Sequence, residues 1–173
     1  MKWLLIAGGV VVGVIVLAVV VVVVIGMMIE REHTATVSVL VKAPAERVWG
    51  LIAGEDVSWR AGVTSSSIER VDGKEVVTET DRWGKAIRYE TVERVEGRLL
   101  KRRIVNEDLP YGGTWMWEVT PEGDGCRVRI TEDGFIRNPV FRFVAKYVMG
   151  YDGTMRAYMK GMCGELGEEF VEG

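Results

Sequence analysis

Residues 139–166 read PVFRFVAKYVMGYDGTMRAYMKGMCGEL, and their apolar positions recur at helical steps. Val140, Val144, Tyr147, Tyr151, Met155, Tyr158, Met162 and Leu166 lie three or four apart. That spacing draws one apolar stripe along a long amphipathic helix. Asn138-Pro139 marks its start, and Gly150 and Gly153 inside it kink or divide it. A single stripe of this length has to be covered, and what precedes it decides by what.

Upstream the period changes to two. In Thr34–Val41, Val37, Val39 and Val41 alternate with Thr36 and Ser38, the pattern of a half-buried strand. Val63–Val71, Glu75–Arg82, Ala86–Val95, Arg98–Asn106, Gly113–Thr120 and Arg127–Phe135 follow as further strands. Turn signals separate them at Asp72-Gly73, Trp83-Gly84, Glu96-Gly97, Pro110 and Pro121–Gly125. Seven strands joined by such short connections pair antiparallel with their neighbours. One short helix interrupts them after the first strand. Pro44 suits its first position, Glu46 its first turn, and Val48, Leu51 and Ile52 share a side. Ala43 is a poor cap, so tertiary contacts have to hold that end. Residues 54–62 read as a loop or a second short helix. The order predicts an α+β fold: a curved seven-stranded antiparallel sheet wrapped around a long C-terminal helix, with a cavity where the two do not close completely.

The chain begins differently. Trp3–Ile29 carries no charge and is nearly all Val, Ile, Leu, Ala, Gly and Met. As a helix it would extend roughly 40 Å, enough to cross a hydrocarbon core of about 30 Å with some tilt. A secretory signal has a shorter apolar region and a small-residue cleavage site, which residues 24–29 do not offer. The expected organisation is a transmembrane anchor over 1–29, a short linker over 30–33 and one domain over 34–173. Lys2 on one side and Arg31, Lys42 and Arg47 mixed with Glu30, Glu32 and Glu46 on the other give no orientation. The 22 Lys+Arg and 25 Asp+Glu are interspersed. No basic stripe for nucleic acid and no polybasic block for anionic lipid results. Cys126 and Cys163 read as small buried hydrophobes; a pairing in an oxidising compartment stays open. No metal-ligand spacing, serine elbow or glycine-rich phosphate loop is present.

Three stretches resemble the START-like superfamily (SRPBCC; polyketide cyclase/dehydrase and lipid-transport proteins). They are VLVKAPAERVWGLI at 39–52, GGTWMWEV at 112–119, and TEDGFIRNPVFRF at 131–143 running on to Tyr151. The first looks like the family's opening strand and Pro-Ala-Glu-x-Val-Trp helix start, the second like its Gly-Thr-Trp strand, the third like its last strand and Asn-Pro turn. Ala43 departs from the capping residue common there. The resemblance implies a helix-grip fold and a hydrophobic ligand between sheet and long helix. It supplies no catalytic residue shared by the whole superfamily.

Candidate lining residues follow from alternation. Trp115 and Trp117 share a strand face with Val119; Ile87 and Tyr89 lie on one neighbouring strand, Val128 and Ile130 on another. The helix stripe offers Tyr147, Tyr151, Met155 and Tyr158, with Met162 beyond them. Met adapts to variable apolar ligands, and Tyr adds a hydroxyl for a polar head. Glu79, Asp81, Glu90 and Glu118 read as solvated strand carboxylates. His33, the single histidine, lies outside the expected pocket. Arg102 faces away from Lys101 and Arg103; turned inward, it would hold an anionic head group. The reading is a membrane-anchored module that binds a lipid or another hydrophobic small molecule, with no cofactor, no metal and no assigned protein partner. Two alternatives stand beside it: a cyclase/dehydrase-like enzyme, which needs an inward carboxylate or tyrosine, and a protein-interaction module with a vestigial cavity.

Overall fold

A computed structural model describes the backbone of residues 2–173 and the side chains from Gly8 onward. The apolar N-terminal run forms one helix, α1 (Lys2–Met28), whose stretch Gly8–Met28 is long and apolar enough to cross a membrane. The strands are β1 (Glu32–Val41), β2 (Val63–Val71), β3 (Lys74–Asp81), β4 (Ala86–Val95), β5 (Leu99–Ile104), β6 (Tyr111–Glu122) and β7 (Gly125–Ile136). They form one antiparallel sheet in the order β1-β7-β6-β5-β4-β3-β2. The linker expected over 30–33 is therefore shorter: β1 starts at Glu32, and His33 belongs to the sheet, opposite Gly134. At the β2–β3 hairpin Asp72 and Gly73 both have positive φ, 52° and 81°, as a two-residue turn matched to strand twist requires.

α2 (Ala45–Ala53) follows β1. Its N-cap is Pro44, which makes no side-chain cap, and Glu168 from the chain's far end accepts the backbone N–H groups of Lys42 and Ala43 just before it. Residues 54–62 carry no helix. The long C-terminal helix is divided. α3 (Pro139–Val144) passes into a π-helical turn, Ala145–Met149, which ends at Gly150, and α4 (Gly153–Leu166) starts afresh. Gly150 has φ 77°, a conformation costly for any residue with a Cβ. α4 ends at left-handed Gly167, with the Glu168 N–H donating to the Cys163 carbonyl, a Schellman closure.

The core lies between the sheet, α2 and α4. Val37, Val39, Leu100, Val119, Val128 and Ile130 from the strands meet Val48 and Ile52 of α2 and Met155, Met159 and Met162 of α4. Cys126 and Cys163 are both buried and both free. This core fills one end of the concave sheet; the other end stays open.

Candidate functional site

The open end is a cavity of about 470 Å³. The concave faces of β3–β7 form its floor, residues 60–63 one wall, and α3, the π-turn and the start of α4 the other. Its lining is mainly apolar and aromatic, a composition suited to a small apolar molecule. Trp115, Trp117, Ile87, Tyr89, Tyr151 and Tyr158 all line it. Trp115 and Trp117 lie 5.6 Å apart, and the Tyr158 ring packs against both.

Four candidate residues lie elsewhere. Val128, Ile130 and Met155 are fully buried in the core. They share the correct face, but they stand where α4 lies directly on the sheet and leaves no space. Tyr147 is 59% exposed. The π-turn inserts an extra residue per turn and Gly150, one of the two glycines expected to kink or divide the helix, breaks it, so the stripe drawn at regular helical spacing fails on this side of the break.

The cavity also holds charges that the sequence reading left outside. Glu79, expected to face solvent, is buried and receives both guanidinium nitrogens of Arg60, one at 3.0 Å. Burial opposes the charge of Arg60, but Glu79 outweighs it and raises the guanidinium pKa. The same guanidinium sits 5.0 Å from the Tyr158 ring centre. Arg102 enters from β5, and its Nε and Nη2 are buried without a hydrogen-bond partner among the described residues. Its nearest acid is Glu75, at 3.7 Å. Burial lowers its pKa. Burial likewise raises that of Tyr89 and pushes Tyr158 up to about 12, so both phenols are neutral at physiological pH.

A second polar group stands across the aromatic floor. Trp115 pairs with Arg102 on one side and Glu132 on the other. With strands about 4.8 Å apart, the backbones of Arg102 and Glu132 lie roughly 10 Å from each other. Burial pushes the Glu132 carboxyl up to about 7. His33 Nε2 lies 3.8 Å from Glu132 Oε1. The imidazole lies over Gly134, where a Cβ would strike it, and the Tyr151 ring stacks on it at 4.1 Å. Burial lowers the His33 pKa. His33 thus lines the cavity, contrary to the expectation from its nearness to the anchor. A carboxyl titrating near neutrality can give or take a proton at physiological pH.

The remaining carboxylates differ. Asp81 lines the rim but spends Oδ1 on the N–H groups of Trp83 and Lys85. Glu90 pairs with Lys74 and Arg103 on the outer face. Glu118 is outside the cavity. Alternation would have found two of the missed residues: Glu132 has the parity of Val128 and Ile130, and His33 that of Val37 and Val39. Arg60 sits in a loop and gives no such signal.

The sequence model of a family described as polyketide cyclase / dehydrase and lipid transport matches residues 32–167. No curated protein matches the sequence. Among solved structures, norcoclaurine synthase from Thalictrum flavum superposes with a TM-score of 0.58 at 14% identity, over 80% of this chain and 88% of its own. The ZhuI aromatase/cyclase from Streptomyces sp. R1128 gives 0.59 at 15% identity, over 78% and 93%. The di-domain aromatase/cyclase StfQ of the steffimycin pathway gives 0.59 at 15%, over 79% of this chain and 53% of that one. At such identities the likeness is one of fold.

Proposed function

The chain belongs to the polyketide cyclase/dehydrase and lipid transport family, and from that premise we propose that it is a membrane-anchored domain that holds a lipid or another hydrophobic small molecule between sheet and C-terminal helices. One observation carries the reading: side chains leave about 470 Å³ open over an aromatic floor, where close packing would otherwise be expected. Each methylene moved there from water contributes about 0.8 kcal/mol. A lipid leaving a bilayer forfeits nearly the same burial, so exchange between membrane and cavity is close to balanced. α1 supplies the anchor and keeps the cavity within a few residues of the membrane surface.

The test is to isolate the full-length chain with its surrounding lipid, extract it and identify bound molecules by mass spectrometry. Ala157→Phe serves as the control, because Ala157 lines the cavity from an exposed position of α4. A stoichiometric apolar ligand that disappears in Ala157→Phe supports the reading. Equal recovery from both proteins refutes it.

A second reading, catalysis on the bound molecule, is favoured by Glu132 alone. An inward carboxyl poised near pH 7 beside His33 fits proton transfer to or from a substrate. Under this reading Glu132→Gln accumulates a ligand that the unaltered protein converts. Identical molecules in both proteins exclude it.

A further inference from the structure

α1 is not free of the domain behind it. Among its described residues, those from Gly8 to Val21 are exposed, whereas Val22, Val23 and Ile25 are half-covered and Gly26 is buried. α3 provides the cover. The Pro139 main chain lies where a Cβ on Gly26 would be. The buried Arg142 of α3 donates from Nη1 to the Ile29 carbonyl just beyond the helix, a favourable place for a cation near a helix C-terminus. About 20 residues suffice to cross a hydrocarbon core. α1 has 27 residues, about seven more than that, and α3 stays out of the hydrocarbon only when this spare length, roughly 10 Å, falls at the last two turns, the part against α3. α3 and the π-turn therefore sit at headgroup level.

At that level the domain presents Val140, Tyr147, Val148 and Met149, which are 41%, 59%, 71% and 56% exposed. Lys146 lies beside them in sequence and is exposed, and so are Met27 and Met28 at the end of α1, the helix against which α3 packs. A contiguous apolar patch is a liability in water. Tyr and Lys beside aliphatic side chains suit a membrane interface. Met149 belongs to this patch and to the cavity wall at once. Across the cavity mouth Lys85 approaches the Tyr111 ring at 5.8 Å, and that ring meets Phe141 of α3 at 5.9 Å. The β3–β4 tip that carries Lys85 also carries Trp83, 75% exposed, with Arg82 over its ring.

We propose that the Tyr147–Met149 segment lies in the bilayer interface and that the cavity mouth beside Met149 opens sideways onto it. The ligand is then a membrane-resident amphiphile that enters from the leaflet facing the domain without crossing water. This rests on the binding function proposed above.

The experiment uses the full chain in phospholipid vesicles. An NBD fluorophore is placed at Val148→Cys or, in a separate protein, at Val14→Cys in α1, and quenched by nitroxide lipids. Loading is followed with cis-parinaric acid, by energy transfer from Trp115 and Trp117 in a background of Trp3→Phe, Trp49→Phe, Trp59→Phe and Trp83→Phe, the probe being delivered either within the vesicles or from cyclodextrin in water. Quenching at both labels is expected. Tyr147 and Val148 do not line the cavity, and changing them together to Ser and Asp should slow loading from vesicles about tenfold, with loading from cyclodextrin unchanged. Quenching at position 14 without quenching at 148, or equal slowing from both sources, overturns the lateral mouth. No quenching at position 14 overturns the anchor. No energy transfer from either source overturns the binding reading and lateral entry with it, while the label at 148 still reports whether the segment meets the bilayer.

Discussion

Replacing Glu132 by Gln removes one ionisable group from the cavity and keeps its shape, so it tests the electrostatics of the site directly. Burial raises this carboxyl from 4.5 to about 7. Between those two values the unfolded chain has lost the proton and the folded chain retains it. Unfolding then releases a proton, and stability falls as pH rises through that window, levelling off above it. At about 1.4 kcal/mol per pH unit the full effect is about 3.5 kcal/mol. The side chain is 20% exposed, so about 2 kcal/mol is a fair expectation. Below pH 4.5 both states hold the proton and the term vanishes. The assay is denaturant unfolding of the detergent-solubilised full chain from pH 4 to 9, original and Glu132→Gln side by side. Their difference isolates the one group. The variant should gain about 2 kcal/mol over the original between pH 4.5 and 8. Infrared difference spectra should show a protonated carboxyl band in the original that fades near pH 7. Parallel stability curves, or a band gone by pH 5, would refute the claim that burial dominates at Glu132.

Three further outcomes follow from the packing. Glu79→Ala strands Arg60 in a dry wall and should cost about 3–5 kcal/mol, whereas the joint change to Met at 60 and Leu at 79 should restore most of it; unfolding midpoints of the three proteins decide. Trp117→Ala removes a buried indole packed against Tyr158 and should cost about 3–5 kcal/mol, read from the same transitions. Gly26→Leu drives α3 away from α1 and should lengthen a spin-label distance between the two helices by several ångström, with the sheet's amide exchange unaltered; an unchanged distance would mean that Pro139 does not rest on Gly26.

The sheet was legible because its signals are local and redundant. Each strand alternates on its own, each turn carries its own Gly, Asp or Pro, and the observed strand ends differ from the expected ones by a few residues at most. The division of the C-terminal helix was legible only as a possibility at Gly150 and Gly153. Its π-turn was not, since Ala145–Met149 differs in no residue type from an ordinary helix. That extra residue turns Tyr147 outward and brings Met149 and Tyr151 to the cavity. The weak cap at Ala43 pointed correctly to tertiary support, but nothing near it in sequence names Glu168 as its source.

The cavity's charges were hidden by a different rule. A charged residue in a strand is solvated when its face meets water, and that default fails on a concave face whose helix stops short. α4 covers Val128 and Ile130 and begins only at Gly153, leaving the same face of β7 open from Glu132 onward. Two steps along one strand therefore separate a core position from a carboxyl held near neutrality. The same break exposes Arg102 beside Trp115 and admits Arg60 from its loop to meet Glu79. Under the binding function proposed above, an apolar floor with a neutralised pair, an under-bonded guanidinium and a titrating carboxyl would discriminate among hydrophobic molecules. A plain hydrocarbon leaves Arg102 unsatisfied, whereas a ligand with an acceptor at one end for Arg102 and a donor at the other for Glu132 satisfies both. Under that proposal, selectivity resides in the polar ends of the ligand and affinity in the body between them.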